Sequence, residues 1–163
     1  MSEIYVSENK PQNIMQAYKM AILDARKAED FDAEIEAYRK VIDFCRNTSE
    51  CRKDTSIRRQ VLLRWAYEKI AEAYWHKKDK NRALNFFESS FNFARNRQEQ
   101  NSTLEKMGEI YWETDTMDKW FDVREKMADN LSPQDKRAAY LVLAREAVEE
   151  QQAIDYLEQA LQA

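Results

Sequence analysis

The stretch from Trp65 to Phe91, WAYEKIAEAYWHKKDKNRALNFFESSF, constrains the fold most. Tyr67, Ile70, Ala71 and Tyr74 recur at three- and four-residue steps. The polar run KKDKN interrupts them, and Ala83, Leu84, Phe87 and Phe91 then resume the same period. A helical period on both sides of a polar break predicts two amphipathic helices folded back on each other. Each has one apolar stripe that it cannot bury alone. Strands are disfavoured because the 163 residues include only 1 Gly and 2 Pro, too few for the turns a sheet needs.

The remainder of the chain divides in the same way. Residues 1–11 lack periodicity and are expected to fray. Ile14, Tyr18, Ala21, Ile22 and Ala25 then form a helical stripe, and Asp30 stands as a cap before a second one through Ile35, Tyr38, Val41, Ile42 and Cys45. A loop at residues 47–55 precedes a helix from Ser56 to Lys77, and its partner is expected over Lys80–Arg97. Ser102 with Glu105 reads as a capping box opening the next helix. Thr114–Thr116 is a turn, and Met117, Trp120, Phe121, Val123 and Met127 form the helix after it. Ser132 before Pro133 is a start signal, a hydroxyl cap followed by a residue whose missing N–H costs nothing at that place. The sequence thus predicts one domain over 1–163, with hairpins at about 12–47, 55–97, 100–130 and 133–162.

These hairpins share residue types at matched places. Tyr67, Ile70, Ala71 and Tyr74, then Ala83 and Phe87, in the second correspond to Leu104, Met107, Gly108 and Tyr111, then Trp120 and Arg124, in the third. Tyr18, Ile22, Glu34 and Tyr38 in the first, and Arg137, Leu141, Ala153 and Leu157 in the fourth, follow the same layout. The pattern resembles the tetratricopeptide repeat, whose period is 34 residues. Ile22, Ala71, Gly108 and Leu141 are taken as equivalent, at spacings of 49, 37 and 33. Glu34 and Trp120 depart from the small residue of the pattern, and Arg124 from its aromatic. The resemblance implies an all-α, right-handed α-solenoid of about four hairpins that binds other proteins in a concave groove.

Little in the sequence points to catalysis, and the chain is read as a non-enzyme without a cofactor. His76 is the single histidine and Gly108 the single glycine, so neither a multi-histidine metal site nor a glycine-rich phosphate loop is available. Cys45 and Cys51 flank a polar turn; a disulfide is geometrically open, but a reducing cytoplasm favours two thiols. No apolar run approaches the ~20 residues of a membrane span. The start MSEIYVSENKPQ lacks the basic and apolar regions of a secretory signal. The expected location is therefore the cytoplasm.

The informative residues are those left over from stacking. On the face that lines the groove in the resembled family stand Trp65, Glu68, Glu72, Trp75 and His76 of the second hairpin, and Glu105, Glu109, Trp112 and Glu113 of the third. Lys19, Leu23 and Lys27 of the first hairpin and Val142 and Glu146 of the fourth take corresponding places. Tryptophans are frequent binding anchors, and carboxylates around them favour Lys or Arg. The expected partner is thus a protein segment with basic and apolar residues. The competing reading packs the tryptophans between helices and leaves the glutamates as a solvated face. The Lys and Asn set that clamps acidic chaperone tails is not matched, because Leu23 and Ser102 occupy two of its places.

Net charge is −4 overall, but residues 52–97 carry +7 and residues 98–163 carry −8. The basic residues cluster at loop ends, which leaves nucleic-acid binding as the less favoured alternative. Two further alternatives are a secretion-type chaperone and a self-associating scaffold. The second rests on the charge split and on Ile154, Leu157 and Leu161, a stripe on the C-terminal helix with no later helix to cover it.

Overall fold

The computed structural model describes residues 11–47 and 57–163, and every regular element among them is an α-helix. The contacts cluster into two compact units, residues 1–93 and 94–163. In the first, α1 (Pro11–Lys27) pairs with α2 (Phe31–Asn47), and α3 (Ile57–His76) pairs with α4 (Lys80–Phe91). In the second, α5 (Arg97–Glu113) pairs with α6 (Met117–Asp129), and α7 (Pro133–Glu146) with α8 (Glu150–Gln162). Helix α2 packs on α3 and α6 packs on α7, so each unit is two hairpins stacked in chain order.

The turns within the first three hairpins are copies of one another. Glu29, Lys78 and Asp115 have φ of 53°, 62° and 52°. Each donates its N–H to the carbonyl three residues back, that of Arg26, Trp75 and Trp112 respectively. The next residue donates five back: Asp30 to Ala25, Asp79 to Tyr74, and Thr116 to Tyr111. This is the pair of hydrogen bonds of a Schellman turn, made here without glycine. The three left-handed residues each stand seven after Ile22, Ala71 and Gly108, so the backbone repeats in the register expected from the side chains. The fourth hairpin leaves that register. Helix α7 ends at Glu146 with extended backbone at Ala147, and Leu141 is exposed, while Tyr140 and Leu143 are the buried residues.

Within the first unit, Ile22, Tyr38, Val41, Cys45, Leu63, Ala66, Ile70 and Phe87 form the buried interior. Full burial of such an aliphatic or aromatic side chain is worth about 1.5–3 kcal/mol. Two arginines fasten α2 to α3. Arg39 donates to the Tyr74 hydroxyl at 3.2 Å and Arg46 to the Tyr67 hydroxyl at 2.5 Å, a pairing that fits antiparallel helices. Ser90, fully buried, donates to the Arg64 carbonyl at 3.1 Å and ties α4 to α3. In the second unit the interior is Trp120, Phe121, Ala128, Tyr140, Leu143, Tyr156 and Ala160.

The expected caps hold at Asp30, which accepts from Ala33 N–H at 2.9 Å, and at Ser132, which accepts from Asp135 N–H at 3.3 Å. The capping box at Ser102 does not hold. Asn96, six residues earlier, accepts from Glu99 N–H at 2.9 Å and starts α5 at Arg97, so Ser102 lies inside the helix. Glu99 reaches back to the N–H of Arg95 at 2.9 Å. That boundary ends α4 at Phe91 and not at Arg97, and the third hairpin spans 97–129. Gly108 is less demanding than its place suggests. A Cβ there would lie 3.5 Å from Cγ1 of Val123, an ordinary contact. Cys45 is buried; Cys51 and the loop beginning at residue 48 lie outside the described residues.

Candidate partner-binding surfaces

Helix α3 in the first unit carries Trp65, Glu68, Glu72, Trp75 and His76 at helical spacing, which puts them on neighbouring faces. Trp65 is half-buried, its ring edge-on to that of Tyr38 at 5.0 Å. Tyr38 is wholly buried, and its hydroxyl accepts from Arg26 at 2.7 Å. Arg26 also pairs with Glu34 at 2.8 Å. Glu34, a large residue where a small one was expected, is therefore buried with a cation across the helix pair. Burial pushes the Tyr38 hydroxyl up to about 12, and the Glu34 hydrogen bond holds Arg26 above its ordinary value.

The remaining α3 residues are likewise engaged within their own unit. Glu68 pairs with Arg64 at 3.4 Å, with both side chains largely covered, and Glu72 pairs with Lys69 at 2.5 Å. The Trp75 ring lies under the Lys78 ammonium at 5.6 Å. The His76 ring stacks on Phe31 at 5.4 Å, with the planes 10° apart. Trp65 thus serves packing, and the two glutamates of this face have cations of α3 beside them.

The second unit is different. Glu105, Glu109, Trp112 and Glu113 of α5 are all exposed, Trp112 to 57%. Trp112 overhangs a cleft of about 420 Å³ built from α5, α6 and α7, with Trp120, Met127, Leu131, Val142, Leu143 and Glu146 among its walls. A second space of about 300 Å³ continues from it, lined by Glu109, Glu113, Trp112, Trp120 and Arg124. The Trp112 and Trp120 rings lie 5.4 Å apart, and Trp120 is edge-on to Phe121 at 4.9 Å. The Arg124 guanidinium stands 5.2 Å from the Trp120 centroid, and its buried Nε has no hydrogen-bond partner. One end of the cleft is thus apolar and the other carries carboxylates.

The sequence pattern places Glu109, Trp112, Glu113, Val142 and Glu146 on such a surface, whereas Trp120 and Arg124 stand in it only as departures from the repeat, and Met127 and Leu131 are not among the expected lining residues. The signal was present: an aromatic and a cation, one helical turn apart on α6, in place of a small residue and an aromatic. Behind the cleft, Asp129 accepts from Lys136 at 2.7 Å and from the Tyr140 hydroxyl at 3.0 Å. The lysine bond holds the Asp129 carboxyl below its ordinary range. Burial, with the bond to Asp129, pushes Tyr140 up to about 12, and burial with a 2.6 Å bond to Glu125 pushes Tyr156 higher still.

Among the described residues, no three His, Cys, Asp or Glu side chains are arranged to hold a metal ion, and no helix is long and apolar enough to cross a membrane. No protein-family model matches the chain. No curated protein matches it. Two crystal structures of MamA are similar in backbone. One has a TM-score of 0.40 at 19% identity, covering 85% of this chain and 91% of MamA. The other has a TM-score of 0.41 at 18% identity, covering 93% and 92%. Likeness at this level transfers neither partner nor role.

Proposed function

We propose that this chain is a TPR-like, non-enzymatic protein-interaction module of the cytoplasm whose second unit grips a segment of another protein. The observation that carries this reading is Trp112, a large aromatic left mostly in water beside a cleft walled mainly by apolar side chains. Exposed aromatics next to a desolvated pocket are the usual anchors of protein interfaces. Glu109, Glu113 and Glu146 at the rim outnumber the single cation Arg124, which favours an occupant with an apolar side chain close to Lys or Arg.

Nucleic acid is a weaker reading, because four residues of the basic clusters have partners within the chain. Lys77 contacts Asp32, Lys78 covers Trp75, Arg82 pairs with Asp79, and Arg95 pairs with Glu99. A secretion-type chaperone shares the groove chemistry and differs only in the partner.

The test uses two labelled synthetic helices with the same Leu/Trp anchor, one flanked by lysines and one by glutamates, followed by fluorescence anisotropy. The lysine peptide should bind more tightly by at least about tenfold, close to 1.4 kcal/mol. Glu109→Lys with Glu113→Lys should reverse that order. Equal binding of the two peptides, or no change on reversing the rim charges, would refute the reading.

A further inference from the structure

Two helices present apolar stripes to water, apart from the cleft. On α8, Ile154, Leu157 and Leu161 are 41%, 45% and 78% exposed, while Tyr156 and Ala160 on the opposite side are buried. The only charged side chains on α8 are Glu150, Asp155 and Glu158, and Glu150 and Glu158 share the side of the stripe. On α1, Met20 and Leu23 are about half exposed, while Ile22 and Ala25 face the interior. Lys19 and Lys27 stand one turn before and one turn after Leu23, and Asp24 is the sole acid of α1. The α8 stripe runs over three residues at three- and four-residue steps and the α1 patch over Met20 and Leu23, and their borders are of opposite charge.

That difference selects a pairing. Two α8 stripes face to face would set carboxylates against carboxylates, and two α1 stripes would set lysines against lysines. An α8 stripe on an α1 stripe buries apolar surface on both sides at about 25 cal/mol per Å² and matches lysine with glutamate along the edges. No single chain has to fold back to satisfy this.

We propose that copies of this chain associate head to tail, with α8 of one copy docked on α1 of the next. The two patches are different, so the contact is heterologous, and each added copy leaves one patch of each kind available. Such contacts propagate as open chains or close as rings, and they do not stop at a dimer.

Sedimentation velocity at low ionic strength tests this with the 163-residue chain and charge-swapped variants. The wild type should gain mass steadily from low to tens of micromolar. Lys19→Glu with Lys27→Glu, or Glu150→Lys with Glu158→Lys, should each weaken association about tenfold or more. All four substitutions in one chain should restore it, and circular dichroism on each variant checks that the helices remain. A wild type that stays monomeric overturns the proposal, and another occupant must then cover the stripes. So does an α1 swap without effect, which would mark a symmetric α8 contact. Failure of the fourfold variant to recover would also overturn it.

Discussion

Trp65, midway along α3, and Trp112, at the end of α5, are both expected on the partner-binding face, yet one packs against a neighbouring hairpin and the other is mostly exposed. Trp65 meets a buried tyrosine, Tyr38, contributed by the neighbouring hairpin through α2. Trp112 meets Trp120, which is buried on its other side against Phe121 and leaves the outer face of Trp112 in water. The carboxylates follow the tryptophans. Glu68 and Glu72 lie against Arg64 and Lys69 of their own helix, while Glu109 and Glu113 border a cleft. A helix face in a repeat is therefore not a site by position alone. It becomes one when the neighbouring helix leaves space and charge uncompensated.

Exchanging the two tryptophans' fates is the strongest way to break this comparison. Trp65→Ala should lower the unfolding free energy by about 2–3 kcal/mol, less than a fully buried tryptophan would cost because Trp65 is only half-buried. Trp112→Ala should leave stability within about 0.5 kcal/mol and weaken the lysine-flanked peptide by about thirtyfold, near 2 kcal/mol. Urea melts and peptide anisotropy on both variants decide it. If Trp112→Ala melts early, Trp112 is core and the contrast is lost.

Alkaline titration sharpens the comparison at the level of the buried tyrosines. Tyr38 in the first unit and Tyr140 in the second are held at about 12, and Tyr156 is also raised. Unfolded tyrosine titrates near ~10. A folded value above the unfolded one means that this contribution is complete below pH ~10 and is lost as pH rises toward ~12. Stability should stay level to pH ~10 and then fall, with two tyrosines acting in residues 94–163 and one in residues 1–93. Tyrosinate absorbance, read alongside site-resolved hydrogen exchange, measures both. Tyrosines ionising near ~10 without loss of structure would contradict the burial assigned to them.

The smallest expected effect concerns Gly108. The left-handed turn at Asp115 and the 3.5 Å clearance to Val123 show a repeat position that keeps its register without needing glycine. Gly108→Ala should raise stability by about 0.5–1 kcal/mol through helix propensity. Thermal denaturation reads this, and a loss would mean that α5 and α6 pack too closely for a methyl group.

The helices themselves were legible because period and break are local properties. Tyr67, Ile70, Ala71 and Tyr74 lie on one face wherever the chain is placed, and KKDKN has to leave the helix. The equivalence of Ile22, Ala71 and Gly108 was legible for the same reason and reappears in the three left-handed turns. The misread boundary at Ser102 was also local. Two caps competed within six residues, and Asn96 won because Glu99 supports it from inside the first turn.

What the sequence by itself determined is the set of helices, their hairpin pairing and the residue types on each exposed face. What only the tertiary structure decided is which of those faces remain open. Leu141 fits the repeat by type but lies exposed, because α7 leaves the register of the earlier hairpins. Trp120 and Arg124 were irregularities in a pattern and became walls of the cleft. The physical reason is that burial and charge compensation depend on groups far away in the chain: Tyr38 lies 27 residues before Trp65, and Leu143 lies 31 after Trp112. Periodicity fixes the direction in which a side chain leaves its own helix, and only packing fixes what it meets there.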